Sequence, residues 1–466
     1  MRASDLGNLL RYKISASALK WLLLLFLLPF ASAILAQQPG SEGLGDRLYP
    51  ELGNGGYDVE HYSIDLQFWP QEYRIYATTV INAVATQDLS RFSLDLFGLS
   101  VDSVSVNSTD STFEHVEHKL IISPVASLAE GDAFTVTIEY GGRPLPVDDP
   151  GAYWQALGWQ YVTDDYYMTD GEPTGSMNWF PCNNHPSDKA TYTIRVTVPA
   201  GLTVASNGVL TEQVENEDQT DTFVWTMDDP MSSHNAFVAV GDFVTVRDDT
   251  GPVPIRNFFP RASAEALADT FTETQAMMSW LVDILGPYPF AEYGVVVFPE
   301  TDTSADNQTI SVFDPAFATE DYILHQLAHQ WFGNSVTQAR WEDMWLKEGF
   351  ASYLEFTYPD GIWQQSAKEE LVAWAGSGMG APTKIEVEQL YGTATFWRGA
   401  LTLDALRAEV GDEVFFDILR TFYQQYAYSV ATTEDFIALA ESVSGQDLEA
   451  LFNAWLYEDA VPALPE

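Results

Sequence analysis

Up to about Val246 the apolar residues of this chain recur at every second position, and from Ala264 onward at every third or fourth. The first period belongs to half-buried strands and the second to amphipathic helices, so neither one sheet nor one helical bundle accounts for the whole chain. Tyr62, Ile64, Leu66 and Phe68 alternate with Ser63, Asp65 and Gln67, and the pattern returns at Phe134, Val136, Ile138 and Tyr140 and at Tyr192, Ile194, Val196 and Val198. Gly141-Gly142 and Asn207-Gly208 supply turn signals between such runs. The first half therefore reads as an antiparallel β-sandwich or saddle-shaped sheet. Beyond Pro252–Pro254, Ala264 to Leu285 reads as one long amphipathic helix with Ser263 as N-cap, and a short strand is predicted over Tyr293 to Phe298. Phe436, Leu439, Ala440 and Val443 form a helical stripe between Thr432 as N-cap and Gly445 as C-cap. The sum is an α+β multidomain chain, with a β domain over residues 37–250 and a mainly helical domain over 251–466. At roughly 150 residues per domain, 466 residues hold both.

The first 36 residues read differently. Arg2, Arg11, Lys13 and Lys20 precede the apolar run from Trp21 to Phe30, and the small residues Ala31-Ser32-Ala33 follow. That order is the order of a secretory signal, and Trp21 to Ala36 is shorter than the ~20 residues a helix needs to span a bilayer. Cleavage after Ala33 or Ala36 is expected, leaving a protein that works outside the cytoplasm without a lasting membrane anchor. Acidic residues number 67 against 21 Lys plus Arg, a net charge of -46. Such a chain has no electrostatic footprint for phosphate backbones, which excludes nucleic acid as a partner. The single cysteine, Cys182, permits no intrachain disulfide and reads as a buried thiol.

The chemistry concentrates in His325-Gln326-Leu327-Ala328-His329 and in Glu348, nineteen residues further on. Two histidines four apart on a helix lie one turn above each other, so both imidazoles can face one metal ion. Glu348 sits in a second helical stretch, Trp345-Leu346-Lys347-Glu348-Gly349-Phe350-Ala351. Two His and one Glu leave a fourth position open, which is the ligand set of a single catalytic zinc rather than a structural one.

These residues, with Gln330-Trp331-Phe332-Gly333-Asn334 after the second histidine and Trp341, Asp343 and Tyr353 around the glutamate, resemble the gluzincin aminopeptidases of the aminopeptidase N and leukotriene A4 hydrolase type. Trp179-Phe180-Pro181-Cys182 with Pro186 and Lys189-Ala190, Gly286-Pro287-Tyr288-Pro289-Phe290 and Arg398-Gly399-Ala400 are similar to further signatures of that family, in the same order along the chain. The resemblance implies an N-terminal β domain, a thermolysin-like, mainly helical zinc domain, one zinc ion, and peptide or protein N-termini as partners. The large C-terminal helical domain of longer members does not fit in the residues that remain.

Three departures bear on activity. Where the family's H-E-x-x-H motif carries a general-base glutamate, this chain has Gln326, an amide that cannot accept the proton of the attacking water. Where the family has the tyrosine that stabilises the oxyanion, two residues before the Arg398 position, it has Phe396. In the loop that holds the substrate amine, Asp306 replaces a glutamate, and Glu172 corresponds to the second amine contact with Asp170 as its rival. Lesser departures are Asn184 for an aspartate and Lys347 for the asparagine before the zinc glutamate. The metal ligands His325, His329 and Glu348 are kept while both proton-handling groups are replaced by near-isosteres. A secreted zinc-binding protein with hydrolysis lost or strongly reduced is the expectation. The alternative is an active zinc aminopeptidase in which Asp306 or Glu342 relays the proton. Asp343 and Glu355 are candidates for holding the zinc histidines from behind.

Overall fold

The period-two segments form the strands that their alternation predicts. The computed structural model describes residues 38–152, 156–163, 166–299, 301, 304–361, 363–375 and 378–464; the expected targeting segment over 1–36 lies outside them. Tyr57–Trp69 and Arg74–Ala85 pair as a hairpin, and each buries alternate side chains, the first with a shift of phase at the irregularity between Val59 and His61. They occupy the middle of an eight-stranded sheet that runs, edge to edge, Val209–Glu215, Thr220–Ser232, Lys189–Pro199, Tyr57–Trp69, Arg74–Ala85, Ala133–Gly142, Ser100–Val106 and Thr109–Asp110. All its pairings are antiparallel except one: Thr191–Thr197 runs parallel to His61–Gln67. A parallel pair needs a long crossover, and the chain between Trp69 and Lys189, with its own smaller strands, supplies it. One of those strands, Tyr166–Asp170, belongs to a separate four-stranded sheet and ends beside Glu172.

A five-stranded sheet opens the second half, in the order Phe243–Asp248, Ile255–Pro260, Tyr293–Val297, Ser311–Phe313, Ser304–Ala305. Its first two strands form a hairpin whose turn carries Pro252–Pro254, so this hairpin spans the 250/251 boundary expected from the change of period. Its last edge strand, Ser304–Ala305, leads directly into Asp306.

The helix expected over Ala264 to Leu285 is two helices, α1 (Ala264–Thr270) and α2 (Thr274–Leu285), and Ser263 makes no side-chain cap. Local chemistry explains the break. The Thr272 hydroxyl donates to the Asp269 carbonyl at 3.0 Å and the Thr274 hydroxyl to the Phe271 carbonyl at 2.8 Å, bonds that compete with the helix ladder. Phe271 meanwhile packs between Phe259 and Phe313, with ring centroids 5.6 and 5.4 Å away. The remaining helices that matter are α3 (Glu320–Ala328), α4 (Trp345–Thr357), α5 (Gly399–Val410), α6 (Asp412–Tyr426) and α7 (Thr433–Ser444). The predicted caps of α7 are in place, Thr432 accepting from the Asp435 amide and Gly445 closing the helix in the left-handed region. Among the described residues no helix is long and apolar enough to cross a membrane.

Helices α4 and α5 approach closely because glycine faces glycine. A Cβ on Gly349 would come within 2.8 Å of the Gly399 Cα, so neither position tolerates a side chain. Trp331, Trp341 and Trp345 are fully buried and belong to the core rather than to a carbohydrate surface. Cys182 is buried too, and burial pushes its thiol well above the ordinary value.

His234 is buried against Trp341 with ring centroids 5.1 Å apart, and neither ring nitrogen has a hydrogen-bond partner among the described residues. Burial, with help from Lys347, Lys189 and His185, holds its imidazole well below 6.5. The folded protein therefore refuses a proton that the unfolded chain accepts below pH 6.5, and this share of stability, intact above that pH, is lost as the pH falls. Comparing urea midpoints of the wild type and His234→Phe at pH 7.5 and pH 5 is expected to show the wild type losing about 2 kcal/mol relative to the variant at the lower pH. An equal pH dependence in both proteins would refute this.

Candidate metal centre

Helix α3 begins after a turn in which the Asp314 carboxylate accepts from the Ala316 amide at 2.7 Å, and Glu320 and Asp321 fill its first turn, where carboxylates suit the helix dipole. It presents His325 in its last turn, and His329 follows as the first residue past its end. The start of α4 is fixed by Asp343, which accepts from Arg340 Nε at 2.8 Å and from the Thr433 hydroxyl at 2.7 Å. Glu348 then falls in the first turn of α4 and faces the two histidines.

The three ligand atoms form a triangle. The Nε2 atoms of His325 and His329 are 3.1 Å apart, and Oε2 of Glu348 lies 3.5 and 3.4 Å from them. Ligands about 2.0–2.2 Å from a tetrahedral zinc stand about 3.4 Å from one another, so the triangle fits one zinc ion. The tautomers fit as well. His325 Nδ1 is 2.9 Å from Glu355 Oε2, and His329 Nδ1 is 3.2 Å from the Phe332 carbonyl. A carboxylate and a carbonyl only accept, so each Nδ1 carries a proton, and in the neutral ring that a metal needs the Nε2 lone pair is the one turned toward the triangle. Burial works against a charged His325, but its hydrogen bonds to Glu348 and Glu355 prevail and push it up to about 9, so metal uptake at lower pH releases a proton. Burial would likewise raise Glu348; His329 and Lys347 outweigh it and hold the carboxyl well below the usual range.

Of the two carboxylates considered for the role behind the histidines, Glu355 fills it and Asp343 does not. Glu342 is also remote from the centre, paired with Arg47 at 2.5 Å and with Arg340 at 3.4 Å. Truncating a corner of the triangle by His329→Ala is expected to remove stoichiometric zinc, as read by elemental analysis. A chelator is then expected to lower the melting temperature of the wild type and leave that of the variant unchanged. Undiminished zinc in the variant would show that the three groups do not form the site.

The triangle opens into a cleft of about 320 Å³. Gln326, between the two histidines on α3, lines it, and its Oε1 is buried without a hydrogen-bond partner among the described residues. Phe396 lies in a turn of π-helix, Ala394–Arg398, with its ring parallel to His325 at a centroid distance of 5.9 Å. Tyr322 stacks near His325 as well, at 5.5 Å. Sequence reasoning passed over Tyr322, although its position one turn before His325 on the same helix places it on the same face. Tyr391, a second phenol, also lines the cleft, whereas Trp397 does not.

Glu172 and Asp306 also line the cleft, Asp306 with its Oδ2 3.9 Å from His329 Nδ1, and Lys347 lies between them. Its Nζ contacts Glu172 Oε2 directly, with Asp306 Oδ1 at 3.0 Å and Glu348 Oε1 at 3.4 Å. Burial would discharge this lysine, but the three carboxylates raise it above its ordinary value and keep it an ammonium. One ammonium cannot neutralise so many carboxylates. Burial pushes Glu172 up to about 8 against the pull of Lys347, and Asp170 beside it up to about 7.

Two sequence families match the chain, the peptidase M1 N-terminal domain over residues 58–234 and the peptidase family M1 domain over residues 287–455. Aminopeptidase M1 of Arabidopsis thaliana is 28% identical over 83% of this chain and 48% of its own length, and a leucyl aminopeptidase of Saccharolobus solfataricus is 25% identical over 87% and 54%. The chain thus spans about half the length of these curated relatives. A mutant M1 zinc metallopeptidase from Deinococcus radiodurans, solved with a Tyr-Ser-Ala substrate, superposes with a TM-score of 0.85 at 30% identity, covering 91% of this chain and 99% of that one.

Proposed function

We propose that this chain, which belongs to the peptidase M1 family, holds one zinc ion and binds peptides in the adjoining cleft, with peptide hydrolysis lost or strongly reduced. The observation that carries the reading is Gln326. It stands on the helix of the two histidines, in the cleft, where a group able to take a proton from the attacking water is needed. When bound, zinc supplies a Lewis acid that polarises water and the scissile carbonyl. His325, His329 and Glu348 would hold it, and Glu355 and the Phe332 carbonyl orient the two imidazoles. What the protein lacks beside that centre is a base on α3 and a hydroxyl on the Phe396 ring.

Peptides are the ligand class by likeness to the neighbour solved with Tyr-Ser-Ala, and the resemblance to aminopeptidases directs the N-terminal end of the peptide into the cleft. An extracytoplasmic location rests on the signal-like residues 1–36.

A second reading, an active zinc aminopeptidase, has one observation in its favour: Glu172 lines the same cleft with its carboxyl up to about 8, close to the value that suits a base at neutral pH. Its contact with Lys347 weighs against that role, since one carboxylate oxygen is already engaged. Zinc analysis and turnover of aminoacyl anilides by the full chain decide between the two. Chelator-sensitive wild-type turnover near that of a Gln326→Glu/Phe396→Tyr double variant would overturn the first reading.

A further inference from the structure

The acidic wall of the cleft already holds a cation of its own. Glu172, Asp306 and Glu348 come from three separate segments and converge on one point, and the Lys347 ammonium fills that point. The lysine is only 2% exposed, yet it lines the cleft. Its place is built in: Gly333 has φ +123°, and a Cβ there would come within 2.9 Å of Lys347 Cγ and 3.3 Å of His329 Nδ1. The missing side chain at 333 leaves the room through which the Lys347 stem reaches the carboxylates.

A peptide entering with a free N-terminus brings a second ammonium to the same carboxylates. To take their hydrogen bonds it must displace Nζ, and the displaced lysine is then a buried, unpaired charge, which is strongly unfavourable. An acylated terminus makes no such demand. Its amide N–H is neutral and leaves Nζ with its carboxylates.

We propose that Lys347 is the specificity-determining residue of this cleft: its ammonium stands in for that of a ligand, so the preferred ligands are peptides whose terminal nitrogen is acylated or otherwise uncharged. The inference rests on the peptide-binding reading above and deepens it.

Calorimetric titration of the zinc-loaded full chain with Tyr-Ser-Ala and with N-acetyl-Tyr-Ser-Ala tests it. The wild type is expected to bind the acetylated peptide at least as tightly as the free one. Lys347→Asn is expected to shift the ratio of the two affinities toward the free peptide on the order of 10- to 100-fold, the worth of a charge-assisted hydrogen bond. A wild-type preference for the free peptide of about tenfold or more, a 1.4 kcal/mol difference, would overturn the inference and leave the peptide-binding reading standing. So would a folded, zinc-loaded Lys347→Asn with an unchanged ratio. If that variant does not fold, the wild-type ratio decides alone. No binding of either peptide to zinc-loaded wild type overturns the reading and the inference together.

Discussion

Gln326→Glu is expected to raise kcat on an aminoacyl anilide by ~10²- to 10⁴-fold, the usual worth of a positioned general base. The change is nearly isosteric and made at a buried position of α3, so the packing between α3 and α4 that places His325, His329 and Glu348 is kept. What changes is proton affinity. An amide oxygen accepts a hydrogen bond from the attacking water but does not take its proton, whereas a carboxylate at the same place does both and can return the proton to the leaving amine. The change turns the amide Nε2 into a second oxygen and keeps Oε1, which has no hydrogen-bond partner among the described residues. The effect belongs in kcat, because Lys347 governs how well an ammonium-bearing substrate binds and that appears in KM. Equal kcat in wild type and variant at equal zinc content would mean that proton abstraction does not run through position 326.

The site was legible in the sequence where chemistry is written in short spacings. His325 and His329 are four apart on one helix, and the residues around Glu348 follow soon after, so the trio that the fold brings together could be picked out without coordinates. The strands of the first half were equally readable, because alternation reports burial on one face. Strand order is a different matter. Nothing in the period of Tyr62 to Phe68 says that its neighbour is Lys189–Pro199 running parallel, since that depends on where a crossover of more than a hundred residues returns. The break between α1 and α2 escaped for another reason: the apolar stripe continues through it, while the threonine hydroxyls that compete for carbonyls leave no mark on a hydrophobic period. Lys347 is the most instructive case. As a substitution for asparagine it was visible, but its meaning depends on Glu172, which is 175 residues away. Only the fold brings that carboxylate and Asp306 to its ammonium.

Phe396→Tyr is expected to act through the variant that already carries a base. Placed in Gln326→Glu, it should raise kcat by a further ~10²- to 10³-fold, the range found when one oxyanion donor is removed from a site. Placed in the wild type, it should do far less, since groups that serve one transition state are non-additive and proton abstraction still limits. The geometry favours the position. The Thr395 hydroxyl donates to the carbonyls of Leu390 at 3.0 Å and Gly392 at 2.7 Å, and these bonds anchor the π turn that carries Phe396. The close approach of Gly399 to Gly349 locks the base of that turn against α4. The ring is therefore held parallel to His325, and it is half-buried and borders the cleft. Retention of the full gain in kcat by Gln326→Glu alone, with nothing added by Phe396→Tyr, would point instead to Tyr322 or Tyr391 as the donor, since both present phenols to the same cleft. Tyr391→Phe in the same background would then show which of them it is.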